Sequence, residues 1–287
     1  MASRPPDSRR DGGATLSPPM TLASQPAIAI EIGGIAIALH TPDSAFRHLL
    51  ANRYAGFIKP SADPQFHFDV ELFQPAETSQ ADDDVQVKLQ AGEWLFQRGD
   101  FHARWNAKLG RGHIQQSRNP YAIDSVLRIV HTLLLARQGG FLVHAASAIR
   151  DGRAYLFAGV SGAGKTTISR LAPPSATLLS DEISYVRREG DHYRACGTPF
   201  AGELAKAGEN QSAPLSALFL LQKGPENRIE EVSMPEAIRL LLRNILFFAG
   251  DRELVDLVFR SACEFVEQVP VRRLIFVPDQ RVWEMIR

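Results

Sequence analysis

One stretch narrows the folds open to this chain more than any other. The apolar run "AYLFAG" leads straight into Gly159-Val160-Ser161-Gly162-Ala163-Gly164-Lys165-Thr166. Those eight residues fit G-x-x-x-x-G-K-[ST], the pattern of a loop that wraps phosphates. The pattern carries meaning only between a strand and a helix. The apolar run supplies the strand, and a helix is predicted to begin near Lys165. An α/β domain built around that strand is the expectation.

Each residue type in the loop has a physical reason. Glycines at 159, 162 and 164 let backbone N–H groups turn toward one point and let phosphate oxygens come close. Lys165 can bridge the β- and γ-phosphates, and the Thr166 hydroxyl can ligate Mg²⁺. Thr167 is a weaker candidate on the α-phosphate side. The expected nucleotide set is Gly159, Ser161, Gly162, Ala163, Gly164, Lys165, Thr166 and Thr167.

The next apolar strand, "TLLSDE" (177–182), ends in two acids. Ligands of open α/β sheets gather at the carboxyl ends of strands. Asp181 and Glu182 are therefore expected beside the loop, one holding Mg²⁺ and the other taking a proton from an attacking hydroxyl. His144 interrupts "GFLVHAASAI", the strand joined to the loop's own strand through Arg150-Asp151-Gly152-Arg153. The Asp-Gly pair suits a hairpin turn. His144 is thus open to either a core role or a place near the γ-phosphate.

Around this centre the chain divides into three. Residues 1–26 are rich in Pro, Ser, Arg and Gly and read as a disordered tail. They lack the apolar core of a signal peptide. Met1 and Met20 are both open as the start. Residues 27–117 read as a small β-rich domain with one helix near Ser44 to Tyr54. Alternation in "FHFDVELF", "VQVKLQ", "EWLFQR" and "FHARWNA" predicts a meander of hairpins. The acidic run Asp82-Asp83-Asp84 reads as a solvated turn.

Residues 118–287 form the second domain. It opens with "NPYAIDSVLRIVHTLLLARQGG", an amphipathic helix with Asn119 as N-cap, Pro120 first and two closing glycines. His131 within it reads as structural. A hairpin turning at Gly190-Asp191, a buried strand at 216–222, helices at 233–248 and 253–268, and a strand at 272–277 follow. The sheet is expected to be mixed.

Composition excludes several classes. Lys plus Arg and Asp plus Glu both number 32. That balance leaves no chain-wide footprint for nucleic acid or membrane. Cys196 and Cys263 have no metal or redox spacing, which points to a reducing, cytoplasmic compartment. No D-x-x-G, [NT]-K-x-D or "LSGGQ"-type stretch follows the loop, so a switch protein or motor is not expected.

The run "HAAS", the loop "GVSGAGKTTIS" and "LLSDE" come in the order histidine, phosphate loop, paired acids. Together they resemble the HPr kinase/phosphorylase family and, more distantly, the phosphoenolpyruvate carboxykinases that share its nucleotide fold. The resemblance covers roughly residues 120 to 205. It implies a P-loop kinase domain of that type. Asp181 would be the general base toward a serine hydroxyl, assisted by His144. Lys165, Thr166 and Glu182 would serve ATP and Mg²⁺. The second acid is Glu182 where the bifunctional enzymes have Asp. The segment "CGTPFAGE" (196–203) stands where their later glycine-rich signature is expected. This looks more like divergent HPr-kinase-like proteins acting on other serine-type hydroxyls.

The expected function is an ATP- and Mg²⁺-dependent kinase acting on a hydroxyl of a protein, peptide or small molecule. The alternatives are a nucleotide-binding regulatory or assembly protein with little or no transfer, and a carboxykinase-type enzyme. In "GTPFAGE", Glu203 offers a charge that suits a substrate-side loop or a plain connection equally. Arg194, Lys206 and Arg243 are open as phosphate clamps. The β-rich region is open to substrate recruitment or to formation of a homo-oligomer.

Overall fold

A computed structural model of the chain describes residues 27–60, 63–74 and 84–286. The tail at 1–26, the choice of start, and Asp82 and Asp83 of the acidic run lie outside those residues.

Strands β1 (Ala27–Ile32) and β2 (Ile35–His40) form an antiparallel hairpin. Helix α1 (Ser44–Arg53) follows, its N-terminus capped by Asp43, which accepts from the Phe46 N–H at 2.8 Å. Strands β3 (Phe66–Leu72), β4 (Gln86–Gln90), β5 (Glu93–Arg98), β6 (Phe101–Asn106) and β7 (Arg111–Gln116) complete a seven-stranded sheet of order β1-β2-β3-β7-β6-β5-β4.

The meander holds from β4 to β7. It fails at β3, which lies parallel to both β2 and β7. Alternation tells which face a side chain takes, not which way a neighbouring strand runs.

Helix α2 (Pro120–Arg137) starts at the predicted cap, where the Asn119 side chain accepts from the Tyr121 N–H at 3.1 Å. Strands β8 (Phe141–Arg150) and β9 (Arg153–Ala158) form the hairpin that feeds the glycine loop. Next come α3 (Lys165–Arg170), β10 (Thr177–Ser180), β11 (Ile183–Glu189), β12 (His192–Cys196) and β13 (Ser212–Lys223). The chain closes with β14 (Arg228–Glu231), α4 (Met234–Leu242), β15 (Ile245–Leu246), α5 (Arg252–Gln268) and β16 (Val271–Phe276).

These strands make a nine-stranded sheet. Its β13 lies between β9 and β16 and runs parallel to both, while β8, β12 and β14 pair antiparallel with members of that set. The class is α/β with mixed sheets and several helices.

The helix expected over 233–248 stops at Leu242. Ile245 and Leu246 instead pair with Val143 and Leu142 of β8, and the Asn244 carbonyl accepts from the His144 N–H at 2.7 Å. Apolar residues resume directly after Arg243 and Asn244 at a spacing a helix also allows, so the period could not show where helix became strand.

Both sheets draw on one core. Phe68 and Trp105 of the first sheet pack in the same cluster as Ile123 and Val130 of α2 and Tyr185 and Phe200 of the second region.

Candidate functional site

Strand directions bring the key residues together. The parallel trio β9, β13 and β16 points its carboxyl ends one way. Strand β10 is antiparallel to β8, and β8 to β9, so β10 runs the same way as β9. The glycine loop follows β9, Asp181 and Glu182 follow β10, and Lys223 ends β13. All three therefore meet at one end of the sheet, where ligands of such sheets collect.

A cleft of about 290 Å³ opens there. Ser161, Gly162, Gly164, Lys165, Thr166 and Thr167 form one side of it. His144, Asp181, Glu182, Glu203 and Lys223 form the rest. Ala163 is buried beneath the loop and Gly159 lines an adjoining cleft, so these two of the expected set support rather than face this space.

Gly164 shows why the loop needs glycine. Its φ is 115°, and a Cβ there would stand 2.6 Å from the Phe276 ring. Behind it α3 is pinned by the Trp283 indole, which donates to the Ile168 carbonyl at 3.0 Å. The Lys165 ammonium folds back onto the loop and donates to the Gly159 carbonyl at 2.9 Å. Burial draws Lys165 below its ordinary value, and the negative charges of Glu182 and Glu203 oppose that.

The acid pair sits in a turn that its neighbours build. Ser180 Oγ accepts from the N–H groups of Glu182 at 3.2 Å and Ile183 at 2.9 Å. Asp181 is buried, and its two oxygens accept from the Gly202 and Leu204 N–H groups, each at 2.9 Å. The carboxylate thus clamps the "GTPFAGE" segment. Thr198 anchors the other end by donating to the Ile183 carbonyl at 2.7 Å.

The clamp carries Glu203 to the loop, where Thr166 Oγ1 donates to Glu203 Oε2 at 2.9 Å. Glu182 is half-buried beside it. Burial raises Glu182 above the ordinary carboxylate value; Asp181 and Glu203 add to that, and Arg128 and Lys165 oppose it.

His144 lines both this cleft and a second one of about 470 Å³ on the far side of the loop's first residues. Burial, then the charges of Lys165 and Arg128, hold its imidazole below the ordinary value. Arg243 lines that second cleft. Arg194 is engaged elsewhere, bonded to the Ser212 carbonyl at 3.0 Å and facing Glu189. Lys206 lines neither cleft.

Glu203 was open between two readings, and the fold brings it to the cleft. Lys223 went unnoticed. Its signal was present, because it ends a buried strand next to β9 at the ligand-facing end of the sheet. Arg128 carried no signal in its spacing. His131 is fully buried on α2 with its ring edge-to-face on Tyr185 at 5.5 Å, far from a binding role. Cys196 and Cys263 are both free thiols. Among the described residues no helix is long and apolar enough to cross a membrane.

The family model described as "SynChlorMet cassette protein ScmC" matches residues 115–287, more than half of the chain. Among solved structures, the Hpr(Ser) kinase/phosphatase from Coxiella burnetii is similar at 10% identity with a TM-score of 0.27. That alignment covers 50% of this chain and 90% of the other. No curated protein matches the chain.

Proposed function

The chain belongs to the ScmC family, and we propose that it is an ATP- and Mg²⁺-dependent kinase of HPr-kinase-like P-loop type. Its reaction would carry a γ-phosphoryl group to a serine-type hydroxyl of a protein, peptide or small molecule. One observation supports the reading above all: Lys165, Thr166, Asp181, Glu182 and Glu203 line a single cleft at the carboxyl end of the sheet.

The residues fit a magnesium nucleotide better than a bare metal. Among the described residues no cluster of three or more His, Cys, Asp or Glu is arranged to hold a metal ion. Mg²⁺ is commonly bound by one or two carboxylates together with substrate phosphates and water. Thr166, Glu182 and Asp181 would hold the ion, and Glu203 lies on the Thr166 hydroxyl. When bound, the magnesium nucleotide supplies the phosphoryl group and neutralises much of its charge.

The remaining work falls to side chains. The Lys165 ammonium, now spent on loop carbonyls, would turn to phosphate oxygens. Gly159, Ser161, Gly162, Ala163 and Gly164 would present the loop, with Thr167 on the α-phosphate side. Asp181 would accept the proton of the acceptor hydroxyl. Its bond to the loop N–H groups occupies one lone pair on each oxygen and fixes the carboxylate plane, leaving the others for that proton. A neutral His144 adds no charge against Lys165 and offers a ring nitrogen to the incoming hydroxyl.

The test is transfer itself. Purified protein is incubated with γ-labelled ATP, Mg²⁺ and lysate of its host, beside an Asp181→Asn variant. A discrete labelled product from the wild type alone supports the kinase. Nucleotide bound with no label moved in either sample overturns it in favour of a regulatory or assembly protein. Turnover tied to bicarbonate or decarboxylation would mark a carboxykinase instead.

A further inference from the structure

The loop that carries Glu203 is held from a third direction, by α2. Arg128 lies one helical turn after Asp124 on that helix, a spacing at which opposite charges ordinarily pair. Here Asp124 is already answered. Arg53 of α1 grips both its oxygens, and the Tyr54 hydroxyl donates to it. Asp124 is 3% exposed, so these partners are not competing with water.

Arg128 is consequently left for the opposite side. Its guanidinium carbon stands 4.9 Å from the ring centre of Phe200, which is fully buried. Its buried Nε has no hydrogen-bond partner among the described residues. Burial disfavours its charge, which Asp124 and then Glu182 of the cleft support; Glu182 and Arg128 favour each other's charged forms. Phe200 lies two residues before Gly202, whose N–H is one of the pair held by Asp181.

We propose that Arg128 is a positioning residue for the cleft. Stacked on Phe200 while Arg53 and Tyr54 take the hydrogen bonds of Asp124, it sets the Thr198–Leu204 loop and thereby the seat of Glu203 on Thr166. A guanidinium over an aromatic face is a directional contact that an aliphatic side chain cannot replace.

The consequence reaches the first sheet. Arg53 and Tyr54 belong to its helix α1 or follow directly on it. The first hairpin also meets the chain beyond that loop, with Asn210 donating to the Glu31 carbonyl at 3.4 Å. The N-terminal region is thus part of the scaffold of the site and not only an appendage for recruitment.

The inference rests on the phosphotransferase reading for its kinetic consequence alone, because order in the loop is measurable without turnover. Hydrogen exchange is followed across residues 198–208 and, as a reference, across β16, in wild type, Arg128→Met, Arg53→Met and Arg53→Met/Asp124→Asn. Arg128→Met exchanges the loop about tenfold faster while β16 keeps its rate.

Arg53→Met does the same, because Asp124 then draws Arg128 away. The double variant removes that competitor and returns the loop to within about twofold of wild type. A purely structural role for the Arg53–Asp124 pair gives the reverse order, with the double variant at least as loose as the single. That order, or an unchanged loop in Arg128→Met, overturns the proposal. Should Arg53→Met fail to fold, Arg128→Met decides.

In label transfer, Arg128→Met lowers kcat with the nucleotide KM within about twofold, the mark of a group that orders the reacting state. A raised KM with kcat unchanged also overturns it. A wild type that binds nucleotide but transfers nothing defeats the kinase reading and leaves the exchange experiment standing.

Discussion

Thr166 Oγ1 donates to Glu203 Oε2 at 2.9 Å, joining the first turn of α3 to a loop that Asp181 holds from behind. The loop hydroxyl expected to face a cation is therefore oriented by a carboxylate arriving from "GTPFAGE". Glu203→Gln keeps the shape and removes the charge. Its half-saturating Mg²⁺ concentration for label transfer should rise 10- to 100-fold, roughly the cost of losing a group that orients a metal ligand. A magnesium titration identical to wild type would remove Glu203 from the site.

In the proposed reaction the adjacent Asp181 and Glu182 would both face the ion, but Asp181 alone would also take the acceptor proton, with Glu182 carrying more of the nucleotide binding. Asp181→Asn should lower transfer by about 10²- to 10⁴-fold, the usual loss for a general base, while nucleotide affinity stays within a few-fold. The new amide nitrogen also opposes one of two N–H donors at a buried position. Stability should fall by about 1–3 kcal/mol in denaturant titrations. Glu182→Gln should weaken binding of the magnesium nucleotide instead, with the stability change much smaller. Equal behaviour of the two variants in nucleotide binding would undo this division.

What could be read beforehand follows how the chemistry is encoded. Lys165 and Thr166 sit in one contiguous motif, and Asp181 and Glu182 end a strand, so local pattern was enough to place them side by side. His144 could be connected to them through a two-residue hairpin turn. Lys223 reaches the same cleft, and Arg128 the Phe200 ring behind it, only through strand order and helix packing, which no local pattern records. The parallel placement of β3 and the switch from α4 to β15 were hidden for the same reason. Each depends on a partner distant in the chain.

The docking of the first hairpin can be tested at its tip. Gly33 has a φ of 59°, and a Cβ there would collide with the Tyr185 ring. Tyr185 is fully buried and cannot move aside cheaply. Gly33→Ala should cost about 1–3 kcal/mol in urea unfolding, from backbone strain and overpacking together. Gly92→Ala, at a φ of 83° but with nothing within 4 Å, should show the strain alone and cost less. Equal losses would mean that the Tyr185 contact does not matter.

His131 should make the fold sensitive to acid. Its ring is fully buried, neither nitrogen has a partner among the described residues, and burial pushes it from 6.5 down to about 3. The folded chain therefore keeps His131 neutral across a range in which the unfolded chain takes up a proton. Stability from this group is fully present above about pH 6.5 and is lost as pH falls toward 3. The slope is about 1.4 kcal/mol per pH unit within that window. His131→Phe keeps a ring against Tyr185 and removes both orphaned nitrogens. Its advantage over wild type should widen by about that slope between pH 6 and pH 5 in urea titrations. Parallel stability curves for the two proteins would show that His131 stays unprotonated in both states or finds a partner in the fold.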